Sequence, residues 1–335
     1  MHLFDYLTGQ PASHHRKRHY SIKETLGVGG FAVVKRATAL DTGREVAVKI
    51  IPKEKIRDHE QQIFRQNTLL RLKHPHIIET VEWYESSSKY YLVFELAAGG
   101  ELFEHLMESP GYRFPEAEAR EVVYALVDGV AYLHGLNIAH RDLKPENVLY
   151  RTPPGSHPEV GHDDCVISDF GLAAYVEPNG GRLFTVAGSA GYSAPEMYPE
   201  EGVLNGEGQG RGYGLKADVW SLGVIARTTE LYFPRSWETV SEEAKDFIRK
   251  LLTVNEDERP TAAEALDHPW LRSALSRPPS PAALSKPASL APHDPPTDEQ
   301  RLGPSLSRTE TVTNHAPLFE RRSTFDAARE QQAKV

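Results

Sequence analysis

The sequence predicts an α+β fold of two unequal lobes, a small antiparallel sheet followed by a larger helical body, with a disordered tail. Three observations carry that expectation. Between Tyr20 and Glu95, two stretches place β-branched and aromatic residues at near-alternate positions. From Glu101 onward, apolar residues recur at helical spacing. From Ser273 to about His315 the chain turns rich in Pro, Ser and Ala and cannot bury enough apolar surface to fold alone.

The elements follow in order. "YSIKETLGVGGFAVVKRATA" and "GREVAVKII" read as strands parted by the turn "DTG" at Asp41–Gly43. Residues Lys55–Lys73 read as a helix, with Ile56, Ile63, Leu69, Leu70 and Leu72 apolar. Strands resume in "IIETVEWYE" and "KYYLVFEL". The helical part opens with "ELFEHLM" and continues over Pro115–Leu136, whose proline suits a helix start. Two irregular inserts interrupt it, at Thr152–Asp164 and Glu200–Tyr213. "DVWSLGVIARTTELYFPRSW", Asp218–Trp237, begins as a buried helix with Val219, Trp220, Leu222, Val224 and Ile225. It then turns polar and meets Pro234, so the expected helix is cut short after about Ile225. The expected organisation is a flexible leader (1–19), a sheet lobe (20–97), a helical lobe (98–272) and a disordered tail (273–335).

Composition excludes some functions. The chain has 335 residues, 39% hydrophobic and 25% charged, as ordinary globular proteins do. A net charge of -9 argues against broad binding to nucleic acid or to an anionic membrane. No window reaches the ~18 consecutive apolar residues of a membrane helix, and the first residues do not read as a secretory signal. The single cysteine, Cys165, excludes an internal disulfide and reads as an apolar filler in a reducing compartment. The basic run His14–His19, "HHRKRH", reads as a solvated leader, with a nuclear or anionic-surface signal as the alternative. A cytoplasmic location with nuclear access is expected.

The chemistry lies in a series of short strings. "LGVGGFAVVKRA", Leu26–Ala37, has the form G-x-G-x-x-A-x-V, with Ala32 in place of a third glycine. Such glycines let backbone N–H groups approach a phosphate, though a tight hairpin reads equally well. Lys49 closes the apolar run "VAVK", where an ammonium is costly without a partner. It either snorkels or meets nucleotide phosphates. The specific signal is "HRDLKPEN", His140–Asn147, followed by "SDFG", Ser168–Gly171, and "SAPE", Ser193–Glu196. In such a set an Asp accepts a proton from a substrate hydroxyl, an Asn and a second Asp offer oxygens to Mg²⁺, and a Lys neutralises a phosphoryl group in flight.

Together these strings resemble the eukaryotic protein kinase family over about Tyr20–Arg272. The resemblance implies a bilobed kinase fold with ATP and Mg²⁺. It implies that Asp142 is the catalytic base, Lys144 the phosphate-contacting lysine, Asn147 and Asp169 the Mg²⁺ ligands, and Lys49 the contact to the α- and β-phosphates. Leu26, Gly27, Val28, Gly29, Gly30, Phe31, Ala32 and Val34 would cover the nucleotide. Phe94 would be the gatekeeper, Glu95 and Ala97 would bond adenine, and Glu101 would complete the ATP-binding set. "LKPEN" is similar to the serine/threonine branch, and "YYLVFELAAGGELFEHL" with "EALDHPWL" to the calcium/calmodulin-dependent group. There Glu101 and Glu146 would favour an arginine N-terminal to the target residue. Arg141 implies switching by phosphorylation at Thr185 in the activation loop, and hence an upstream kinase. Asp218 and the Glu196–Arg259 pair would be structural.

Two departures stand out. The helix position that should offer Lys49 a glutamate holds Arg65. Losing a buried partner costs about 3–5 kcal/mol, which implies a slow enzyme. After Ile225 the rest of the family's central helix and the helix that follows it are missing, before the pattern resumes at "FPRSWETVSEEAKDF". The expected function is serine/threonine phosphorylation of arginine-directed substrates; the alternative is a catalytically impaired scaffold or a nucleotide-sensing pseudokinase. The C-terminal "APLFERRSTFDAAREQQAKV" carries a calmodulin-binding candidate, although its apolar face is poor, and an autophosphorylation candidate at Ser323.

Overall fold

The structure is a computed structural model that describes residues 11–30, 32–55, 68–153, 161–178, 180–198, 211–230 and 239–272. Phe31, the stretch holding Arg65, most of both inserts and the tail with its calmodulin and Ser323 candidates lie outside the described residues.

Alternation builds the first lobe. Among the described residues, β1 (Tyr20–Val28), β2 (Val33–Ala39), β3 (Glu45–Pro52), β4 (Thr80–Glu85) and β5 (Lys89–Glu95) form one antiparallel sheet in the order β1-β2-β3-β5-β4. On one face Ala37, Val46, Val48, Tyr84, Tyr91 and Val93 make a separate small core, in which the Tyr84 and Tyr91 rings stack at 4.7 Å. From the other face Ile51 and Leu92 join the core of the second lobe. Lys49 sits on β3 between Val34 of β2 and Leu92 of β5.

Residues 11–19 depart from the expected flexible leader. Ala12–His19 form a 3-10 helix packed against the edge strand β4. Arg16 donates to the Trp83 carbonyl (3.1 Å) and lies 3.8 Å from Glu82, while the Ser13 hydroxyl accepts the Glu85 N–H (3.1 Å). A sheet edge needs cover, and this basic segment supplies it.

The second lobe is helical. After the short α1 (Thr68–Arg71) come α2 (Leu102–Glu108), α3 (Glu116–Gly135), α4 (Lys216–Glu230), α5 (Glu242–Leu251), α6 (Ala262–Leu266) and α7 (Pro269–Arg272). Pro115 stands directly before α3, as the sequence implied. Val122, Val123, Leu126, Val127, Val130 and Leu133 of α3 are buried, each such side chain contributing roughly 1.5–3 kcal/mol. Two short ladders cross this body: β6 (Ile138–Ala139) pairs with β9 (Ala174–Tyr175), and β7 (Val148–Tyr150) with β8 (Cys165–Ile167). No helix among the described residues is long and apolar enough to cross a membrane.

α4 corrects the expected early stop. It runs five residues past Ile225, to Glu230. The "ARTTE" end is polar yet helical because its threonines bond back onto their own helix: Thr228 Oγ1 to the Val224 carbonyl (2.8 Å) and Thr229 Oγ1 to the Ala226 carbonyl (3.1 Å). Thr229 is fully buried, and its carbonyl accepts the Phe114 N–H at 3.0 Å.

Glu196 and Arg259 meet as the sequence implied, in a two-pronged pair at 2.6 and 3.0 Å. The fully buried guanidinium also bonds the Thr253 and Lys216 carbonyls and lies 5.2 Å from the Trp220 ring. Removing one partner of a buried pair strands the other charge. Glu196→Gln should therefore lower stability by about 3 kcal/mol, read from urea unfolding. Cys165 is fully buried, and burial pushes its thiol far above the ordinary range. A thiol reagent at neutral pH should leave the native chain unlabelled and take up one equivalent on unfolding. Rapid native labelling would show that the lobe is open.

Candidate active site

The site is built outward from a buried carboxylate. Asp218, in the first turn of α4, is 1% exposed. Its Oδ2 accepts from the His140 backbone N–H (2.8 Å) and lies 3.0 Å from His134 Nε2, while its Oδ1 accepts the Arg141 N–H at 2.8 Å. Burial alone would raise this carboxyl, but His134 and these donors hold it below the usual carboxylate range. The bonds fix a backbone that is costly to hold, since Arg141 has φ 69. The His140 ring meanwhile faces the Ser168 carbonyl (2.9 Å) and the Phe170 ring.

The residues of "HRDLKPEN" converge on Asp142. Lys144 Nζ (3.1 Å) and Asn147 Nδ2 (3.0 Å) donate to its Oδ2, and Asn147 Nδ2 also reaches the Asp142 carbonyl at 2.7 Å. The Ser189 hydroxyl donates to Oδ1 at 2.8 Å and accepts from Lys144 at 2.6 Å. Sequence reading missed Ser189. It stands in "GSAGYSAPE", a run of small residues whose only signal is proximity to "SAPE". Gly188 explains how that run approaches: at φ +94, a Cβ there would lie 2.4 Å from the Arg141 carbonyl. An aspartate aimed by an ammonium, an amide and a hydroxyl is a preorganised proton acceptor.

Lys49 meets Asp169 across the lobes, Nζ to Oδ1 at 2.5 Å. Asp169 has φ 58, and the same oxygen accepts the Gly171 N–H at 3.1 Å. Burial raises this carboxyl, yet Lys49, the Gly171 N–H and His140 together hold it below the usual range. Above them, Gly27 pairs with Val34 and Val28 with Val33, and the Gly29 N–H closes the turn onto the Ala32 carbonyl at 2.9 Å. The glycine segment is thus a tight β-hairpin whose Leu26 and Val28 side chains are exposed. At the joint between the lobes, Phe94 and Ala97 pack partly buried against the main core. The Glu95 carboxylate is occupied by Arg151 (3.0 and 3.1 Å) and the Glu79 N–H (2.9 Å), so Glu95 has only backbone to offer a base.

Glu101 precedes α2, and its carboxyl is raised by burial, by Glu104 and by Glu146, while Lys144 opposes the shift. Glu146 Oε2 is buried without a hydrogen-bond partner. Thr185 is exposed; its carbonyl accepts the Tyr213 hydroxyl at 2.6 Å.

A protein-family profile described as "Protein kinase domain" matches residues 20–234. The chain belongs to the protein kinase family. This kinase is 39% identical to the calcium/calmodulin-dependent protein kinase cmkA of Emericella nidulans, over 81% of this chain and 66% of that protein. It is 36% identical to the calcium/calmodulin-dependent protein kinase of Metarhizium anisopliae (80% of this chain, 72% of that one), and 37% to the serine/threonine-protein kinase DCLK1 of Rattus norvegicus (75% and 60%). It thus spans between 60% and 72% of these three relatives' own length.

The Lys49–Asp169 pair has a pH signature. An aspartate titrates near ~3.9 when unfolded, and the native carboxyl sits below its ordinary value. The pair therefore contributes stability that is fully present above the unfolded value and fades as pH falls through the native one. Lys49→Met should destabilise the kinase most near neutrality, with the difference from the parent shrinking below about pH 4. Thermal melts from pH 7 downward check this; a difference that grows on acidification would contradict it.

Proposed function

We propose that this kinase transfers the γ-phosphoryl group of ATP to serine or threonine hydroxyls of proteins carrying an arginine N-terminal to the target residue. The observation that carries the reading is the Asp142 carboxylate, held by Lys144, Asn147 and Ser189. The substrate hydroxyl oxygen forms a bond to the γ-phosphorus as the bond to the β,γ-bridging oxygen breaks, and ADP leaves. Asp142 orients the hydroxyl and takes its proton, Lys144 offsets charge on the transferring group, and Lys49 contacts the α- and β-phosphates. Family membership implies ATP as substrate and Mg²⁺ in general. The side chains fit that ion: the Asn147 amide nitrogen is committed to Asp142, leaving its carbonyl oxygen as a hard ligand, and Asp169 offers a carboxylate. When bound, Mg²⁺ would neutralise phosphate charge.

Arginine selection is supported by Glu101 and Glu146, an acidic pair in want of a cation. The Glu101 carboxyl is raised by burial, then by Glu104 and Glu146, and Glu146 has a buried oxygen without a partner. Thr185 is exposed for an upstream kinase, and calmodulin is a candidate partner because both fungal relatives are calcium/calmodulin-dependent protein kinases by name. We place the kinase in the cytoplasm with nuclear access; a reduced Cys165 fits that compartment.

A silent scaffold is the second reading, favoured by Arg65 and by a shortfall in length. The match to the Emericella protein counts 294 positions yet takes up 81% of this chain of 335, so the relative carries further residues between the matched ends. Phosphoryl transfer from MgATP to an arginine-directed serine peptide separates the two. We expect turnover, with Asp142→Ala reducing it by about 10²–10⁴; a parent rate equal to that of Asp142→Ala in folded protein would sink the enzyme reading. Glu101→Gln with Glu146→Gln should raise KM for the arginine peptide about tenfold or more at little cost in kcat. A peptide with alanine in place of the arginine should show no such change.

A further inference from the structure

Arg141 is buried at 4% exposure, yet its guanidinium makes no ion pair among the described residues. Its side-chain partners are neutral: the Leu172 carbonyl at 2.5 Å and the Tyr213 hydroxyl at 3.1 Å. That hydroxyl in turn donates to the Thr185 carbonyl at 2.6 Å. Tyr213 is itself buried, and its backbone forms an antiparallel bridge with Leu183, its N–H donating to the Leu183 carbonyl (2.9 Å) and its carbonyl accepting the Leu183 N–H (2.8 Å). One residue thus holds the activation segment at three points. Gly212 makes the approach possible: at φ +65, a Cβ there would stand 2.8 Å from the Leu183 carbonyl. From outside, Arg182 clamps the same crossing through the Gly212 carbonyl (2.8 Å) and Glu256 (2.6 Å), and Glu256 accepts the Gly214 N–H at 2.9 Å.

We propose that Tyr213 is a positioning residue that couples the catalytic-loop arginine to the activation segment, ordering residues 183–187 without a phosphate. The hydroxyl gives Arg141 a neutral acceptor where an anion would otherwise be needed, and it spends its own proton on the segment's backbone. Because the contact is to the carbonyl of Thr185, it does not depend on that residue's side chain. Basal activity therefore belongs to the Arg141–Tyr213–Thr185 chain of bonds, and phosphorylation of Thr185 adds to a segment already in place. The kinetic part rests on the phosphotransferase reading above; the ordering does not.

The test uses the full chain with Tyr213→Phe, which keeps the ring in the core and removes only the hydroxyl, and Thr185→Ala, which keeps the carbonyl. Amide hydrogen exchange is followed at residues 183–187 and, as an internal standard, at the buried residues of α3. Tyr213→Phe should speed exchange in 183–187 about tenfold and leave α3 unchanged, whereas Thr185→Ala should exchange like the parent. With MgATP and peptide, Tyr213→Phe should lower kcat of the unphosphorylated kinase with KM for ATP unchanged. Unaltered exchange in 183–187, or equal acceleration in α3, would overturn the proposal, the latter making Tyr213 an ordinary core residue. A parent chain without turnover would count against the enzyme reading alone, since exchange still decides the ordering.

Discussion

Everything in the site leans on one buried carboxylate. Asp218 sits where α4 begins and offers both oxygens to the backbone of the catalytic loop. A charge taken out of water is costly unless donors surround it, and here His134 and two main-chain N–H groups do so. The return is geometric. The loop is pinned at His140 and at Arg141, whose backbone lies in the left-handed region, and Asp142 follows as the next residue. The position of Asp142 thus depends on a second, buried aspartate.

From that fixed point the site spreads in two directions with different stiffness. Toward the second lobe, Asp142 is tied to Lys144, Asn147 and Ser189, all held by short bonds within one packed body. Toward the first lobe, Lys49 reaches from a strand to a half-exposed Asp169. A salt bridge of that exposure is weakly stabilising. On the proposed function, nucleotide phosphates would compete with Asp169 for the same ammonium.

Much of this was legible in the sequence because the informative residues are close together in the chain. "HRDLKPEN" compresses Arg141, Asp142, Lys144 and Asn147 into one loop, and with "DFG" and "APE" in order it carries the resemblance that marks them. Lys49 was legible as an ammonium on an apolar strand. Ser189 and Tyr213 were not, because each acts through one hydroxyl on residues dozens of positions away, and neither stands in a string that chemistry singles out. The basic run before Tyr20 is exposed at Lys17–His19, as its composition implies, but it is not a free leader. Composition describes it as solvated, but Arg16 finds a strand carbonyl and Glu82 on the sheet edge.

The polar end of α4 misled the reading of the second lobe in the same way. Threonine counts as a weak helix former because its hydroxyl competes for backbone groups. In "ARTTE" those hydroxyls bond the helix's own carbonyls, so the polar run continues the helix as far as Glu230. Beyond Glu230 the chain is fixed again at Ser241, whose N–H (2.9 Å) and hydroxyl (2.7 Å) both donate to Glu116, and Glu116 Oε1 also accepts the Trp270 indole N–H at 2.9 Å. Burial would raise this carboxyl, but those donors and Arg120 hold it low. One acidic side chain at the start of α3 thereby fastens the beginning of α5 and the end of the lobe. On the other side, the Phe114 N–H, two residues earlier, caps the Thr229 carbonyl. The described residues on both sides of 231–238 are therefore anchored to the start of α3.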